Sequence, residues 1–472
     1  MIRFLVTFLV SCIFILFLNN PLFFKVNLPP FGLLFSPFEG FWQNAENVQS
    51  FTDFTLNEEG LKEEVRVVFD KEFVPHIFAS NTSDAFFVQG YIAAKLRLWQ
   101  MDIATRAASG RLSEVLGERT LNQDINQRKK QIHKAAKKTV ELWKKNPEEY
   151  QFILSYTEGI NAFIRNLKPK NFPLEFKLLG YRPEEWTVEK SALFFKSMAE
   201  TLSFQHDDIP ATTTLAYLGE ELYQDLFPDW NPKQSPVIPN KENYPSPSIA
   251  LKEGVQYGDI SFGGTFTGLL PQPPPNNGSN NWAIGGKKTS SGYPILANDP
   301  HLSLTLPAIW YEVQIICPDF NAYGVTFPGI PGILIGFNSK VAWGVTNVGQ
   351  DVLDWYRIQW EDEKKEKYLL DESWMEVVKE NEEIYIKGKK DPHIETVQLT
   401  HWGPIVYPDL AMKWLAINTP DDRPFSEIGT FVKMMKASNY NDYREALKGF
   451  ANPAQNFIFA SVGDEISLTV TG

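Results

Sequence analysis

A serine that directly follows a proline-rich segment is the residue of this chain best suited to nucleophilic chemistry. Prolines, serines and glycines accumulate between residues 228 and 277, and Gly278 and Ser279 come next, before a series of short predicted strands. A serine hydroxyl is a weak nucleophile near neutral pH and needs a base within hydrogen-bond reach. Cleavage before Ser279 would free an α-amine with a pKa of about 7.7–8.0. One residue could then supply both the nucleophile and the base.

Other interpretations of the same region stay open on the residues alone. Gly, Ser and Asn favour turns for reasons of backbone geometry, so residues 278–280 could form an ordinary turn. His301, one of six histidines, lies near enough in sequence to suggest a Ser-His-Asp triad. His76 follows Pro75 in a predicted strand, and we interpret it as structural.

Short segments spread along the chain form a pattern that is more specific than any one of them. They are residues 90–94 (Gly-Tyr-Ile-Ala-Ala), 97–102 (Arg-Leu-Trp-Gln-Met-Asp), 110–114 (Gly-Arg-Leu-Ser-Glu), 278–285 (Gly-Ser-Asn-Asn-Trp-Ala-Ile-Gly), 290–301 (Ser-Ser-Gly-Tyr-Pro-Ile-Leu-Ala-Asn-Asp-Pro-His), 336–338 (Gly-Phe-Asn) and 343–351 (Trp-Gly-Val-Thr-Asn-Val-Gly-Gln-Asp). With these segments the chain resembles the penicillin acylase family of N-terminal-nucleophile hydrolases over roughly residues 40–472. The resemblance implies autocatalytic cleavage, in which the Ser279 hydroxyl attacks the Gly278 carbonyl.

The resemblance also implies roles for residues around the nucleophile. His301 is expected to lie beside Ser279 and to orient it or its α-amine, which argues against the triad interpretation. The backbone N–H of Asn347 is expected to help bind the oxyanion of the tetrahedral intermediate. Positions where relatives line the acyl pocket are apolar here, namely Met198, Leu202, Leu302 and Val345.

A structural calcium site is a further expectation from the family. Asp351, Asp354 and the carbonyl of Leu353 match its ligands, and Asp208, next to Asp207, matches an acidic ligand from the helical half. Hard oxygen ligands suit Ca²⁺. Two aspartates three residues apart are also common on exposed loops, so the residues alone do not establish this site.

The order of the predicted elements indicates an α+β fold. Strands are predicted at 65–69 and 74–77, then a helix capped by Thr82 or Ser83, and further helices across residues 127–170 and 187–204. Short strands follow Ser279, at 281–284, 294–297, 309–316, 332–337 and 341–345. The resemblance implies the four-layer αββα sandwich of N-terminal-nucleophile hydrolases.

We therefore divide the chain into four predicted parts. Residues 1–20 form a signal peptide or membrane anchor, and residues 40–228 form a mainly helical part similar to the α-subunit of the family. Residues 229–278 form a spacer, and residues 279–472 form the first portion of a β-subunit. Processing is expected to give an α/β heterodimer from one precursor.

The N-terminus and the composition restrict the location and the partners. The charge-free run from Phe4 to Leu18 predicts export to the periplasm or cell envelope. No Ala-x-Ala motif follows Leu18, which favours an uncleaved anchor over a cleaved signal. A lipoprotein box at 9–12 is a weaker alternative, because the apolar run continues past Cys12. A net charge of −12 argues against a nucleic-acid partner.

The predicted activity is hydrolysis of a linear acyl amide, such as a penicillin, through an acyl ester of Ser279. No cofactor is expected beyond the structural calcium. One alternative is acylase activity on N-acyl-homoserine lactones. Another is a catalytically silent envelope protein that keeps the fold for binding, because the family's second oxyanion donor comes from a segment beyond Gly472.

Overall fold

A computed structural model describes residues 1–20, 22–23, 27–46, 52–204, 208–228, 278–302, 304–415 and 426–472. Its helices are α1 (Ile2–Asn19), α2 (Phe31–Leu34), α3 (Trp42–Glu46), α4 (Thr82–Ser109), α5 (Ser113–Leu116), α6 (Leu121–Lys130), α7 (Ile132–Trp143), α8 (Pro147–Asn166), α9 (Leu174–Leu179), α10 (Val188–Ser203), α11 (Asp208–Leu218), α12 (Glu220–Leu226), α13 (Glu427–Lys436) and α14 (Tyr440–Leu447).

The strands are concentrated after Ser279. They are β1 (Leu22–Phe23), β2 (Asn27–Leu28), β3 (Phe54–Leu56), β4 (Val65–Phe69), β5 (Pro75–Phe78), β6 (Gly278–Ile284), β7 (Ile295–His301), β8 (Tyr311–Cys317), β9 (Phe320–Thr326), β10 (Ile335–Asn338), β11 (Val341–Asn347), β12 (Leu353–Arg357), β13 (Lys367–Leu370), β14 (Ser373–Glu376), β15 (Val378–Ile384), β16 (His393–Leu399), β17 (Ile405–Tyr407), β18 (Leu410–Trp414), β19 (Gln455–Ser461) and β20 (Ile466–Thr471). The α+β class is confirmed. The expected helices and strands are present with ends shifted by a few residues, whereas the predicted spacer lies outside the described residues apart from Gly278.

A nine-stranded sheet joins the two parts of the chain on either side of Ser279. Its strand order is β20-β19-β11-β10-β9-β8-β5-β4-β3. All neighbours are antiparallel except β5 and β8, which pair in parallel with Ile77 opposite Ile315. Both residues are fully buried. Because β3, β4 and β5 precede the predicted cleavage point, the two predicted subunits share one sheet.

The close crossing of α4 and α8 explains the glycine of residues 90–94, the first of the family-like segments. A Cβ added at Gly90 would overlap the carbonyl oxygen of Tyr156, and one added at Gly159 would overlap that of Phe87. Only glycine permits so close an approach of two helix backbones. The predicted cap of α4 is wrong: Asn81, not Thr82 or Ser83, accepts the N–H of Asp84 at 2.9 Å. Asn is as good a cap as Ser or Thr, so local chemistry did not distinguish these positions.

A buried ion-pair network explains charged residues in the next two family-like segments, residues 97–102 and 110–114. Arg106, whose side chain is 4% exposed, donates from Nε to Asp102 at 2.9 Å and from Nη1 to Glu114 at 2.7 Å. Arg111 donates to Glu114 and Glu184. Burial opposes ionisation of Glu184, but hydrogen bonding from Arg111 and the charges of both arginines lower its pKa to about 2. These polar residues therefore fix the helices rather than carry chemistry.

Candidate active site

Ser279 lies near the start of the hairpin formed by β6 and β7. The register places Gly278 opposite His301 and Ser279 opposite Pro300. Side chains of β6 alternate in exposure, with Ser279 and Asn281 less exposed than their neighbours. The Ser279 hydroxyl donates to the carbonyl oxygen of Gly278 at 2.6 Å. The hydroxyl and the peptide bond that it is predicted to attack are thus adjacent.

Asparagine side chains attach this hairpin to the nine-stranded sheet. Asn281 Nδ2 donates to the Thr346 hydroxyl at 3.0 Å, and Asn298 Nδ2 donates to the Val345 carbonyl at 3.1 Å. Asn281 and Asn298 are directly opposite each other in the hairpin. A Cβ added at Gly344 would lie only 2.5 Å from Asn298 Oδ1. Gly344 therefore leaves the space in which Asn298 docks the strand pair that carries Ser279.

A mainly apolar cavity opens beside Ser279. Its volume is about 70 Å³. It is lined by Phe195, Met198, Leu202, Ser279, Pro300, Leu302, Trp310, Phe327, Ile330, Leu334, Val345, Thr346, Asn347, Phe431, Phe450, Pro453 and Gln455. The cavity brings together Ser279, Asn347 and all four predicted pocket residues, from helix α10, the hairpin and strand β11. Their catalytic and binding roles stay predictions.

His301 lies at the end of the hairpin, next to the predicted cleavage point. Its Nε2 is 2.8 Å from Asp299 Oδ2, and its side chain is 39% exposed. A Cβ added at Gly278 would meet His301 Nδ1 at 3.8 Å. His301 is not among the residues that line the cavity, and no hydrogen bond joins it to Ser279 in the described part of the chain. The imidazole therefore lies beside Gly278.

Asn347 connects helix α10 to the hairpin-bearing sheet. Its side chain donates to the carbonyl of Leu202 at 2.9 Å, and its own carbonyl accepts from Asn456 Nδ2 at 3.2 Å. Asn456 also donates to Thr346. The side chain of Asn347 is thus used to hold the cavity wall. The role in oxyanion binding expected for the backbone N–H of Asn347 stays a prediction.

The predicted calcium ligands lie on two elements that pack together. Helix α11 begins at Asp208 and contacts strand β12, which begins at Leu353 and contains Asp354. Asp351 and Asp354 are exposed, and Asp351 Oδ1 accepts the Leu353 N–H at 3.5 Å. Within the described ranges, no group of three or more His, Cys, Asp or Glu residues is arranged to hold a metal ion. The three carboxylates thus do not form such a group, Asp207 lies outside the described residues, and the site stays a prediction.

Several residues of the site were not predicted from the sequence. Asn281, Asn298, Gly344 and Thr346 all lie in the family-like segments, but no pattern in the sequence assigns them a role. Phe431 and Phe450 line the cavity from a region with no motif. One asparagine on the less exposed face of each hairpin strand, Asn281 in β6 and Asn298 in β7, is a usable signal, because polar residues on the buried face of a strand need partners.

Comparisons with known proteins identify the family of the chain. The penicillin amidase family matches residues 64–472, and the chain belongs to that family. It is 32% identical over 357 residues to acyl-homoserine lactone acylase QuiP from Pseudomonas aeruginosa, covering 74% of this chain and 40% of that protein. It is 29% identical to penicillin acylase 2 proenzyme from Pseudomonas sp. (strain SE83), covering 75% and 45%.

A more distant relative matches a longer stretch of the chain. Penicillin G acylase from Escherichia coli is 24% identical over 460 residues, covering 87% of this chain and 53% of that protein. The chain spans about half the length of these relatives. Among solved structures, the thermostable penicillin G acylase from Alcaligenes faecalis aligns with a TM-score of 0.36 at 22% identity, over 41% of this chain and 35% of that chain. That likeness is too low to support an argument.

Proposed function

We propose that this chain is part of an amidohydrolase that cleaves a linear N-acyl amide through an acyl ester of Ser279. The observation that carries the proposal is the position of Ser279 in the lining of an apolar cavity. An acyl group can occupy such a cavity while its carbonyl carbon lies next to the hydroxyl. Shape and apolar walls of this kind are typical of small-molecule sites. Family membership supports the same reaction type.

Autocatalytic cleavage at Gly278–Ser279 is the step that would create the catalyst. In the uncleaved chain the Ser279 hydroxyl donates to the Gly278 carbonyl oxygen. This contact holds Oγ beside the carbonyl that it would attack, and glycine leaves the approach open. Attack, followed by loss of the amine, gives an ester, and water then releases Gly278 as a carboxylate. The freed α-amine would act as the base for later turnovers.

The remaining residues would support the two steps in different ways. His301 would orient the Ser279 hydroxyl or α-amine from the Gly278 side, and the Asn347 N–H would donate to the oxyanion. Met198, Leu202, Leu302 and Val345 would bind the acyl group. Asp208, Asp351, Asp354 and the Leu353 carbonyl would hold calcium at the joint between α11 and β12. The calcium would stabilise the docking of the two parts and take no part in the reaction.

A four-layer αββα arrangement of the whole molecule belongs to this proposal. The β6–β7 hairpin packs against strands β11 and β19 of the nine-stranded sheet, so two sheets face each other at the site. Helices α13 and α14 also pack against strands of the large sheet. Processing would give an α/β heterodimer whose chains remain joined by that sheet. Export to the periplasm or cell envelope fits the apolar helix α1.

The size of the cavity supports a second candidate class of substrate within this reaction type. An engineered protein cavity of about 150 Å³ accepts benzene, whereas the cavity here is about 70 Å³. A straight acyl chain therefore fits with less rearrangement than a phenyl ring. The relatives named acyl-homoserine lactone acylase support the same choice. N-acyl-homoserine lactones are accordingly our second candidate substrates, beside penicillins.

The test uses the full reading frame that contains this chain. N-terminal sequencing should find a chain beginning at Ser279, and Ser279→Ala should abolish both that chain and amide hydrolysis. Ser279→Cys retains a nucleophile and should still be processed. Hydrolysis by a single unprocessed chain would refute the mechanism. Processing without hydrolysis of penicillin, phenylacetyl and acyl-homoserine lactone amides would instead favour the catalytically silent binding protein.

A further inference from the structure

An exposed aromatic segment, residues 31–42, packs against the C-terminal end of the apolar N-terminal helix. Helix α1 has a mean hydropathy of 2.3 and no buried residues, and it is long and apolar enough to cross a membrane, as an export signal also would be. Eighteen helical residues span roughly 27 Å, close to the thickness of a bilayer's hydrocarbon core. Arg3 precedes its apolar run, which orients the N-terminus toward the cytoplasm.

Helix α1 and the segment after it are in direct contact. The rings of Phe17 and Phe31 pack edge to face with centroids 5.7 Å apart. A Cβ added at Gly32 would lie 2.9 Å from the carbonyl oxygen of Leu18, so α2 closely approaches the end of α1. The ring contacts continue from Phe31 through Phe35 and Phe41 to Trp42. The rings of residues 31–42 thus continue the apolar surface at the C-terminal end of α1.

This segment is exposed to solvent although it is rich in large apolar side chains. The exposed fractions are 51% for Leu33, 48% for Phe35, 77% for Phe38 and 45% for Trp42. Side chains of this kind usually lie inside a folded protein or at a contact with a partner. Trp and other aromatic side chains are enriched at the level of lipid head groups, where an apolar ring meets water.

The same segment is fixed to the folded body. Lys177 Nζ donates to the Gly40 carbonyl at 3.1 Å and to Asn44 Oδ1 at 2.6 Å, and Asn44 Nδ2 donates to the Phe172 carbonyl at 3.0 Å. Lys177 also donates to the carbonyl of Lys170 at 2.8 Å, so it links segment 31–42 to the loop that carries Lys168 and Lys170.

Charge near the aromatic surface also suits a lipid partner. Lys168 and Lys170 line one shallow depression with Phe38, Glu39 and Gln43. Two cations and one carboxylate leave a local excess of positive charge. Lysines at this position would reach anionic head groups while Phe38 enters the interface.

We propose that residues 31–42 form a membrane footing. In this arrangement α1 stays in the bilayer, the aromatic side chains of the footing lie among the head groups, and the catalytic body is held at a fixed orientation on the outer surface of the membrane. The occupant of the exposed surface is thus a lipid bilayer, not a second copy or another segment of the chain. The proposal does not depend on the catalytic role of Ser279.

The test places a fluorescent label on the footing of the full chain. In a Cys12→Ser background, which leaves only the buried Cys317, Phe38→Cys is labelled with a polarity-sensitive NBD maleimide. Trp374→Cys is the matched control, because Trp374 is 42% exposed on strand β14. The proteins are placed in vesicles of phosphatidylcholine with or without phosphatidylglycerol. Lipids spin-labelled at the head group or deep in the acyl chain act as quenchers.

In vesicles we expect the NBD emission at position 38 to shift to the blue. The spin label at the head group should quench it several-fold more strongly than the spin label deep in the acyl chain. The NBD label at position 374 should show neither effect. Lys168→Gln with Lys170→Gln should reduce the gain from phosphatidylglycerol. Water-like emission at position 38 in vesicles would overturn the proposal. So would a blue-shifted label that neither lipid quencher reaches, because a second copy or another segment would then be the cause of its shielding, or a mature N-terminus after residue 20. Leu33→Cys repeats the test if the first label impairs folding.

Discussion

The contact between Gly344 and Asn298 gives a sharp test of how the hairpin is held. A Cβ at position 344 would lie 2.5 Å from Asn298 Oδ1 and 2.6 Å from its Cγ. Two heavy atoms in ordinary van der Waals contact are about 3.5 Å apart, so strand β11 or the Asn298 side chain must move by about 1 Å. The movement also breaks the hydrogen bond from Asn298 to the Val345 carbonyl. Gly344→Ala should therefore displace the strand pair that carries Ser279.

The expected loss of stability follows from three contributions. Overpacking costs about 1–3 kcal/mol, and the lost hydrogen bond costs about 1 kcal/mol. Replacing glycine by alanine offsets part of this by about 0.4–1 kcal/mol, because the unfolded chain loses freedom. The net destabilisation is about 1–3.6 kcal/mol. A shift of about 1 Å at a reacting group can slow a reaction about 10²-fold.

Urea unfolding and the rate of appearance of a chain beginning at Ser279 measure the two effects. Gly463→Ala is the control, because an added Cβ there meets its nearest atom at an ordinary 3.4 Å. The double variant Gly344→Ala with Asn298→Gly places the glycine on the other side of this contact. It removes the overlap, so it should recover the packing but not the hydrogen bond. Parent-like stability and processing of Gly344→Ala would refute the reasoning.

Other regions give further predictions. Burial opposes ionisation of Glu382, but His133 and Lys134 lower its pKa to about 2. The ionised Glu382 therefore stabilises the folded protein fully above about pH 4.5, and this stabilisation disappears as the pH falls toward 2. Glu382→Gln should cost about 2 kcal/mol at pH 7, after allowance for screening, and flatten acid unfolding curves. Chelation should lower the melting temperature of the parent but not of Asp351→Ala with Asp354→Ala; an equal effect on both would reject the calcium site. Gly159→Ala should cost about 3 kcal/mol in urea unfolding by forcing α8 away from α4, and a smaller loss would contradict the close crossing.

Local pattern was sufficient for much of the fold. The β-branched run at 65–69 predicts a strand with the observed ends, because alternate residues of β4 face the core. The helical spacing of Phe87, Tyr91, Ala94 and Leu98 likewise predicts α4. Neither pattern contains information on which strands become neighbours. The parallel pairing of β5 with β8 joins residues far apart in sequence, so it could not be predicted.

The candidate site shows the same limit. The segment around Ser279 was recognisable, and the positions of Met198, Leu202, Leu302 and Val345 followed from the resemblance. The contribution of Phe431 to the cavity depends on how α13 packs against the large sheet, which no local pattern specifies. The fit between Gly344 and Asn298 is of the same kind, since a glycine shows only that space is needed and not which side chain fills it.

Contacts across residue 278 explain how this fold could survive cleavage there. The parallel pair β5 and β8 is one link, since its strands lie on opposite sides of the cleavage point. Buried Trp143 donates to Glu427 at 3.1 Å, and Gln89 exchanges two hydrogen bonds with the backbone of Gly332. Each link joins a residue before Ser279 to one after it. Cleavage would therefore free the α-amine of Ser279 without separating the two parts, because the interface between them is built like the interior of a single domain.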